Sequence, residues 1–420
     1  MLLEFELENW MCFSEPVSIN FYAGRTRKHS DRLRRLKRSR ERILPITVIY
    51  GRNASGKSAL FKAINFSKSY ISLGTTMPSG RINVDRFALD GLSLEKPSKF
   101  SFVILINETK YKYFFAVTNK NVVEEVLTKN FEQRNETVVY SRAGKNIVLN
   151  DELENNEFMK YLKDGTRENQ LFLTNAIMQN VVNRVPETAF KDVYEWFSDL
   201  NSFCLFPDAY RHTIFENDLD KLSELLAAMD TGITGLSTGQ IVNIEAERLA
   251  FPNFHRFVAS SNDSGSVIYR RMMSQHEYNQ GSRFSKVLFD IERESDGTKR
   301  LIDLLPLIVD IMDESKSLKI LFMDEISQNL HPLLVRNIVE RYLDGVNSNS
   351  RTQLIFSTHD TTLLNSKLLR NDEIWFINDT YGENPSRELV SFYDYIEAKK
   401  DNDLQTSYLT GRMGGIPSFY

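Results

Sequence analysis

Apolar and polar residues alternate in two short stretches at the start of the chain. The apolar positions are Leu3, Phe5, Leu7, Val17, Ile19 and Phe21. A period of two places these side chains on one face of an extended backbone. The pattern therefore predicts two strands, joined by a reversal around Asn9–Glu15.

Buried strands and helices are predicted by the runs that follow. Ile46–Tyr50 is short, apolar and β-branched, which is typical of a buried strand, and helical spacing follows it from Ala59. Alternation returns from Lys99 to about Asn150, with a turn at Asn107 and Glu108, and predicts an antiparallel β layer. Residues 152–232 are mostly helical in pattern, and residues 233–290 are mixed and rich in strand pattern.

The last third of the chain predicts alternating helices and buried strands. The predicted elements are a helix at Leu301–Met312 that Pro306 bends, strands at Lys319–Met323, Gln353–Ser357 and Glu373–Ile377, and a helix from Pro332. We therefore expect an α/β fold with a mixed or parallel sheet, an antiparallel β layer and an inserted, largely helical subdomain. The expected boundaries are 1–150 for a first lobe, 151–290 for the insertion and 291–420 for a second lobe.

Composition narrows the class of protein only slightly. The 420 residues carry a net charge of −4, and the two cysteines, Cys12 and Cys204, are too far apart in sequence for metal-ligand spacing. We therefore expect no disulfide framework, and we expect the protein to lie in a reducing compartment. No apolar run approaches the roughly 18–20 residues that cross a bilayer, so we expect a cytoplasmic protein without a membrane partner.

A phosphate-binding loop lies between the predicted strand at Ile46–Tyr50 and the helix after it. The motif G-x-x-x-x-G-K-[ST] is matched in full by Gly51, Arg52, Asn53, Ala54, Ser55, Gly56, Lys57 and Ser58. Glycines let the backbone N–H groups approach phosphates closely, and the helix N-terminus adds positive potential. Lys57 is expected to reach the β- and γ-phosphates of ATP, and Ser58 to ligate Mg²⁺. The alternative is a glycine turn with a surface lysine.

Two adjacent carboxylates follow the strand predicted at Lys319–Met323. Asp324 is expected to hold Mg²⁺, and Glu325 to act as the general base on the attacking water. Such acids end the strand at the carboxyl edge of a parallel sheet, where phosphates bind. A strand end with two solvated acids is the alternative.

Two further motifs are typical of ATP-binding-cassette (ABC) ATPases. Glu294–Leu301 resembles the ABC signature in the form seen in SMC-like heads, with Ser295 and Gly297 forming an anion site for the γ-phosphate. His359 follows a predicted strand and matches the switch histidine in position. The alternatives are a plain helix cap at Ser295 and a structural histidine.

The order of these motifs predicts an ATP site shared between two copies of the chain. In the ABC class the signature completes the ATP site of a partner head. This chain has one P-loop and one signature, so a complete site requires at least a dimer with itself. ATP binding would then join the two heads, and hydrolysis would release them.

Several segments resemble the stand-alone SMC/RecF-like ATPases, classed as AAA-family proteins, of bacterial abortive-infection and anti-phage loci. The segments are Phe5–Phe13, Ile49–Ser58, Glu294–Leu301, Met323–Pro332, Phe356–Asp360 and Tyr408–Pro417. The resemblance implies a regulatory ATPase that controls a partner effector, typically a nuclease or TOPRIM-like protein, as in the PARIS system. No chemical role is assigned to the tail, which contains Gly411-Arg412-Met413-Gly414-Gly415.

This sequence departs from the family pattern at two places. Gln328 and Asn329 replace the usual small residue before Leu-His-Pro, and Asp296 replaces the first glycine or serine of the signature. Either change is expected to slow turnover. Gln179 is the candidate for the glutamine that contacts Mg²⁺ and the attacking water, and a surface helix glutamine is the alternative.

Residues Arg25–Arg42 carry the strongest local charge in the chain. The cations are Arg25, Arg27, Lys28, Arg32, Arg34, Arg35, Lys37, Arg38, Arg40 and Arg42. They are expected either to bind nucleic-acid phosphates, an acidic effector or a phage protein, or to form a mobile solvated loop.

Three functions remain open at this point: a defence ATPase that controls an effector, a RecF- or SMC-like DNA-repair ATPase, and a toxin with nuclease chemistry inside 150–290. The isolated histidines His212, His255 and His276 do not favour the third.

Overall fold

The computed structural model describes most of the chain in two compact units. It describes residues 1–420 except 38–39, 76–79, 204–213, 244–256, 262–265, 281–282, 313–318, 381–385, 396–403 and 416–420. Cys204, His212, His255, Arg38 and residues 416–417 of the tail therefore lie outside the described residues. Unit 1 comprises Met1–Ser202, Ser317–Asp324 and Val346–Tyr420, and unit 2 comprises Phe203–Lys316 and Glu325–Gly345.

Unit 1 contains the strands and helices that surround the P-loop. Its strands are β1 (Leu2–Glu8), β2 (Val17–Asn20), β3 (Arg34–Arg35), β4 (Arg42–Ile43), β5 (Ile46–Tyr50), β6 (Ser98–Ile106), β7 (Thr109–Val117), β8 (Val122–Lys129), β9 (Thr137–Ala143), β10 (Asn146–Leu149), β11 (Asn201–Phe203), β17 (Lys319–Met323), β18 (Thr352–Ser357), β19 (Ile374–Thr380) and β20 (Ser386–Ser391). Its helices are α1 (Lys57–Leu73), α2 (Asp151–Glu154), α3 (Glu157–Gly165), α4 (Phe172–Met178), α5 (Ala189–Ser198) and α9 (Leu404–Leu409).

The strands of unit 1 form an antiparallel layer and a mainly parallel sheet. The antiparallel layer has the order β10-β9-β8-β7-β6-β1-β2, and the other sheet has the order β11-β17-β18-β5-β19-β20. Within the second sheet, β17, β18, β5 and β19 pair in parallel, and β20 is antiparallel to β19. All five residues of β5 are buried, as expected for a central parallel strand.

Helix α1 packs against both sheets. The ring of Phe61 lies 6.3 Å from that of Phe322 on β17, and the ring of Phe66 lies 5.3 Å from that of Phe100 on β6. The indole of Trp10, from the loop after β1, lies over Phe66 at 5.1 Å and donates to the carbonyl of Ala59 at 2.9 Å. Aromatic packing on opposite faces of α1 thus fixes the direction in which the helix leaves the P-loop.

A buried carboxylate joins the antiparallel layer to α4. Glu125 on β8 is fully buried and accepts hydrogen bonds from the hydroxyls of Tyr113 and Tyr140, at 2.9 and 2.7 Å. It also accepts the backbone N–H groups of Phe172 and Leu173, at 2.7 and 3.1 Å. These N–H groups are unpaired within the first turn of a helix, so Glu125 caps α4 from a remote strand.

Unit 2 combines a β-sheet with three helices from the second half of the chain. Its elements are β12 (Ile214–Phe215), β13 (Gly235–Ile241), β14 (Phe257–Ser261), β15 (Val267–Gln280), β16 (Arg283–Asp290), α6 (Leu219–Ala227), α7 (Asp296–Met312) and α8 (Pro332–Gly345). Strand β15 pairs antiparallel with β13, β14 and β16. Helix α6 packs on β13, and α7 contacts both α6 and α8.

The predicted α/β architecture is confirmed, with differences at particular elements. Helix α7 begins at Asp296, before the predicted start, and contains Pro306 in its interior. The last predicted strand extends to Thr380, and β20, which was not predicted, follows it. Helices α2–α5, expected in the insertion at 151–290, lie in unit 1, whereas α7, expected in the second lobe, lies in unit 2.

The Glu125 cap predicts a specific loss of stability. Glu125→Gln replaces an acceptor oxygen by an amide donor that would face a tyrosine O–H or a helix N–H group. We expect the free energy of unfolding to fall by about 1–3 kcal/mol, the range for leaving buried polar groups unpaired. Chemical denaturation measures it, with Glu124→Gln on the same strand, where the side chain is exposed, as the control. Equal stability of the two variants would contradict the assigned cap.

Candidate functional site

The P-loop joins β5 to α1 and requires glycine at two positions. A Cβ on Gly51 would lie 2.4 Å from Ser55 Oγ, and a Cβ on Gly56 would lie 2.8 Å from Cys12 Sγ. Gly56 has φ 114°, and Ala54, between them, also has a positive φ of 61°. The loop therefore holds a compact turn that wraps back on its own backbone.

The P-loop lysine is buried and contacts the loop itself. Lys57 is 5% exposed, and its Nζ donates to the carbonyls of Gly51 and Arg52 at 2.7 and 3.1 Å. Asn53 and Ala54 are exposed, whereas Ser58 is half-buried. Phosphate oxygens are stronger acceptors for an ammonium group than neutral carbonyls, so a bound triphosphate would compete for Lys57.

Asp324 lies at the same sheet edge as the P-loop. It follows β17, is 2% exposed, and accepts the hydroxyl of Ser357 at 2.5 Å. Ser357 ends β18, which separates β17 from β5, and pairs with Ile49 in the parallel register. Strands β17 and β5 are thus about 10 Å apart, twice the spacing of neighbouring strands.

The donor set at this edge fits a magnesium ion bound with a nucleotide. The Ser58 hydroxyl and the Asp324 carboxylate are hard oxygen ligands, and the buried carboxylate needs positive charge nearby. The described residues contain no group of three or more His, Cys, Asp or Glu that could hold a metal. Mg²⁺ needs no such group, because it binds through one or two protein ligands, phosphates and water.

His359 lies beside the P-loop strand. It is the second residue after β18 and is exposed. The hydroxyl of Tyr50, the last residue of β5, donates to the carbonyl of Asp360 at 3.0 Å. Because Tyr50 precedes Gly51, this bond keeps the His359 segment next to the start of the P-loop. The structure thus brings the P-loop, Asp324 and His359 to one edge of the sheet.

Glu325 begins a tight turn in unit 2. It has φ 53°, an uncommon backbone conformation for a residue with a side chain. Its carbonyl accepts the N–H of Gln328 at 3.0 Å and a guanidinium N–H of Arg300, from α7, at 3.4 Å. Both contacts hold the backbone of Glu325, and the side chain is half-buried.

The signature-like segment is closely packed against the turn after Glu325. Ser295 Oγ accepts the N–H of Thr298 at 3.1 Å, so Ser295 caps α7 as the alternative interpretation expected. A Cβ on Gly297 would lie 2.7 Å from the carbonyl oxygen of Asn329, which has φ 59°. The carboxylate of Asp296 pairs with Lys299 at 3.0 Å, which offsets the charge it adds beside Ser295.

The residue before the signature serine is held by a strand of unit 2. Glu294 Oε1 lies 2.7 Å from His276 Nε2 and accepts the hydroxyl of Ser274. Both partners are on β15. His276 thus has the structural role expected of a histidine without metal-ligand spacing, and its partner is the start of the signature segment.

Gln179 is not brought to the P-loop. It is exposed at the end of α4, next to Met178. A Cβ on Gly74, at the C-terminal end of α1, would lie 3.8 Å from Met178. Helix α1 has 17 residues and begins at Lys57, so its ends are roughly 25 Å apart. The position matches the alternative of a surface helix glutamine.

An ion-pair network beside the P-loop was not predicted. Arg52 Nε donates to Asp379 Oδ2 at 2.7 Å, and Arg387 on β20 also pairs with Asp379. Burial raises the pKa of the Cys12 thiol on the same side of the loop, with the charge of Arg387 opposing the rise. The sequence offered one signal for this network, the aspartate Asp379 near the end of β19, which is the strand next to β5.

The basic run is partly buried structure. Arg32 is 6% exposed and donates to Glu373 Oε2 at 3.0 Å, and Arg34 is 9% exposed and pairs with Glu108. The expectation of a mobile solvated loop is therefore wrong for these two arginines. The exposed cations in the described part of the run are Arg25, Arg27, Arg35, Lys37 and Arg40.

A parallel sheet with a P-loop after one strand and a buried aspartate after a near neighbour defines the P-loop class of nucleotide-binding folds. The family model described as "AAA domain, putative AbiEii toxin, Type IV TA system" matches residues 46–365. The chain belongs to this family. It is therefore an ATPase-type fold, and its helices in the described residues include none long and apolar enough to cross a membrane.

Among the solved structures that are similar to the chain, one matches it over most of its length. It is the SMC head domain from Thermotoga maritima, with 14% identity and a TM-score of 0.37, and the match covers 93% of this chain and 98% of that one. A search of curated proteins gave no match.

The Arg32–Glu373 pair predicts a pH dependence of stability. Burial raises the pKa of Glu373 from 4.5 to about 7, although the Arg32 guanidinium opposes the rise. Between these values the folded state keeps a proton that the unfolded state has lost, so this contribution to stability falls as pH rises from 4.5 to 7. Glu373→Gln should remove that component of the slope, as measured by denaturation at several pH values. An unchanged slope would contradict the shifted pKa.

The His276–Glu294 contact is expected to keep the signature segment well ordered. We expect His276→Ala to increase hydrogen exchange at the amides of residues 294–298, because Glu294 loses its imidazole partner. Asn279→Ala, at an exposed position on the same strand, is the control. Mass spectrometry of exchanged peptides makes the comparison, and equal protection in both variants would show that His276 does not order the segment.

Proposed function

We propose that this chain is an ABC-type ATPase that hydrolyses ATP at a site shared between two copies and thereby controls a partner effector in anti-phage defence. The observation that carries the ATPase proposal is the hydrogen bond from Ser357 to Asp324, on strand ends that also position the P-loop. The family description, a type IV toxin–antitoxin system, supports a role beside a second protein.

The phosphate-binding role is assigned to the P-loop and α1. The loop amides and the N-terminus of α1 would bind the phosphates, and Lys57 would exchange the carbonyls of Gly51 and Arg52 for the β- and γ-phosphate oxygens. Ser58 and Asp324 would hold Mg²⁺, which neutralises phosphate charge.

The hydrolytic role is assigned to Glu325 and His359. Glu325 would accept a proton from the attacking water, and His359 would contact the γ-phosphate. Ser295 and Gly297 would complete the site of the other copy, with the N-terminus of α7 directed at its γ-phosphate. The signature segment and the turn after Glu325 are close neighbours within unit 2, through Arg300 and Gly297. Binding of a γ-phosphate at the signature segment would therefore shift the turn that carries Glu325.

The composite-site proposal predicts different outcomes for two variants. Lys57→Ala should lose ATP binding, whereas Glu325→Gln should bind ATP, lose hydrolysis by about 100-fold or more, and accumulate as a dimer or larger assembly. Calorimetry, phosphate release and mass measurement with and without ATP test these outcomes. Wild-type binding and turnover in Lys57→Ala would exclude the P-loop assignment, and a monomeric, ATP-bound Glu325→Gln would exclude the shared site.

A DNA-associated ATPase, of the RecF or SMC kind, is the second candidate. It is favoured by the exposed cations Arg25, Arg27, Arg35, Lys37 and Arg40, which remain after the buried arginines are set aside. Adding DNA to the same phosphate-release assay separates the candidates, because hydrolysis stimulated by DNA and suppressed by salt would favour the second.

A further inference from the structure

The C-terminal segment Leu404–Gly415 packs on the first residue of the P-loop. A Cβ placed on Gly415 would lie 3.5 Å from the Cα of Gly51 and 3.5 Å from the ring of Tyr408. A methyl group on Gly415 would therefore be in van der Waals contact with Gly51, so the tail backbone lies close beside the first P-loop residue. Both Gly414 and Gly415 have positive φ values, 67° and 68°, which form a turn that favours glycine.

Hydrogen bonds from two tyrosines hold this segment in place. The hydroxyl of Tyr408 donates to the carbonyl of Gly415 at 3.0 Å, and that of Tyr395 donates to the carbonyl of Met413 at 2.8 Å. Tyr395 in turn accepts the side-chain amide of Asn378, on β19, at 2.6 Å. The Met413 side chain is fully buried.

Aromatic packing connects the same segment to the P-loop strand. The ring of Tyr408 stacks on Phe376 of β19, with centroids 5.4 Å apart, and contacts Tyr50 at 5.6 Å. Tyr50 is the residue before Gly51. The segment therefore contacts the end of β5 and the neighbouring strand, and its last glycine lies close to the first P-loop glycine.

A side chain at position 414 would clash with Asn378 and would keep a strained positive φ. A Cβ there would lie 2.4 Å from Asn378 Oδ1, a distance at which the side chain or the segment must move. The amide of Asn378 is held by its hydrogen bond to the Tyr395 hydroxyl at 2.6 Å, so the side chain cannot turn away without losing that bond. A larger residue at 414 would displace the tail from Gly51.

Gly51 is thereby enclosed by groups from separate parts of unit 1. The tail lies on one side of Gly51, and a Cβ on Gly51 would lie 3.3 Å from the carbonyl oxygen of Ile377. The ammonium group of Lys57 donates to the carbonyl of Gly51. We propose that the segment Leu404–Gly415 is a positioning element of the P-loop, which fixes Gly51 in the conformation that receives the phosphates of a nucleoside triphosphate. This inference rests on the proposed ATP binding.

Calorimetric titration of the full chain with Mg·ATP tests the inference. We expect Gly414→Ala to weaken ATP binding by about tenfold or more, and Tyr408→Phe, which removes one hydrogen bond and keeps the ring, by about two- to tenfold. The number of sites per chain should not change, because the segment alters the geometry of the P-loop without unfolding it. In turnover assays the change should therefore fall on KM for ATP, with kcat nearly unchanged.

Matched controls separate positioning from general damage. Gly144→Ala introduces the same strain at a positive φ of 59°, and no atom of the described residues lies within 4 Å of the new Cβ. Tyr161→Phe makes the same change on a side chain that is 71% exposed. Both controls should bind ATP as the wild type does. If Gly414→Ala and Tyr408→Phe also bind like the wild type, the inference is wrong and the ATPase proposal survives. Failure of the wild type to bind ATP would overturn both.

Discussion

Parallel pairing of β17, β18, β5 and β19 is the constraint on which the candidate site depends. The register aligns Met323 with Phe356 and Ser357 with Ile49, so the carboxyl ends of these strands lie at one edge. A shift by one residue would turn Ser357 to the other face and remove its hydrogen bond to Asp324. Almost all side chains of β5 and β18 are buried, so such a shift would also disrupt close-packed contacts.

The sequence was sufficient for the parts of the fold that local patterns determine. The P-loop is a contiguous motif, and the Ile46–Tyr50 run before it is short and β-branched, which is typical of a buried strand. Strand β20 was not predicted because Ser386–Ser391 lacks a clear apolar alternation, and its position depends on pairing with β19. Gln179 was also misjudged from the sequence alone. It occurs between the P-loop and the signature, as the family pattern requires, but it lies at the far end of α1 and therefore far from the P-loop.

The charged residues show most clearly why the rest of the structure could not be predicted. A run of arginines is solvated unless carboxylates elsewhere in the chain can pair with them, since an unpaired buried charge is costly. The partners of Arg32 and Arg34 are Glu373 and Glu108, which are 341 and 74 residues away. Composition and spacing contain no information about such pairs. The number of cations in the run therefore overstates the charge that a nucleic acid could meet.

The loops assigned to chemistry share one physical property. Ala54, Glu325 and Asn329 all have positive φ values, and residues with side chains keep such conformations only when their surroundings require it. Both of these loops are held by residues outside them, the P-loop by the tail and β19 and the turn after Glu325 by Arg300. The signature segment is held in the same way by His276. The local sequence thus specifies which side chains can take part in the chemistry, whereas distant residues fix the backbone conformation that orients those side chains. Substitutions in supporting residues outside the motifs, such as His276 and Tyr408, should therefore alter the geometry of the loops without touching a motif.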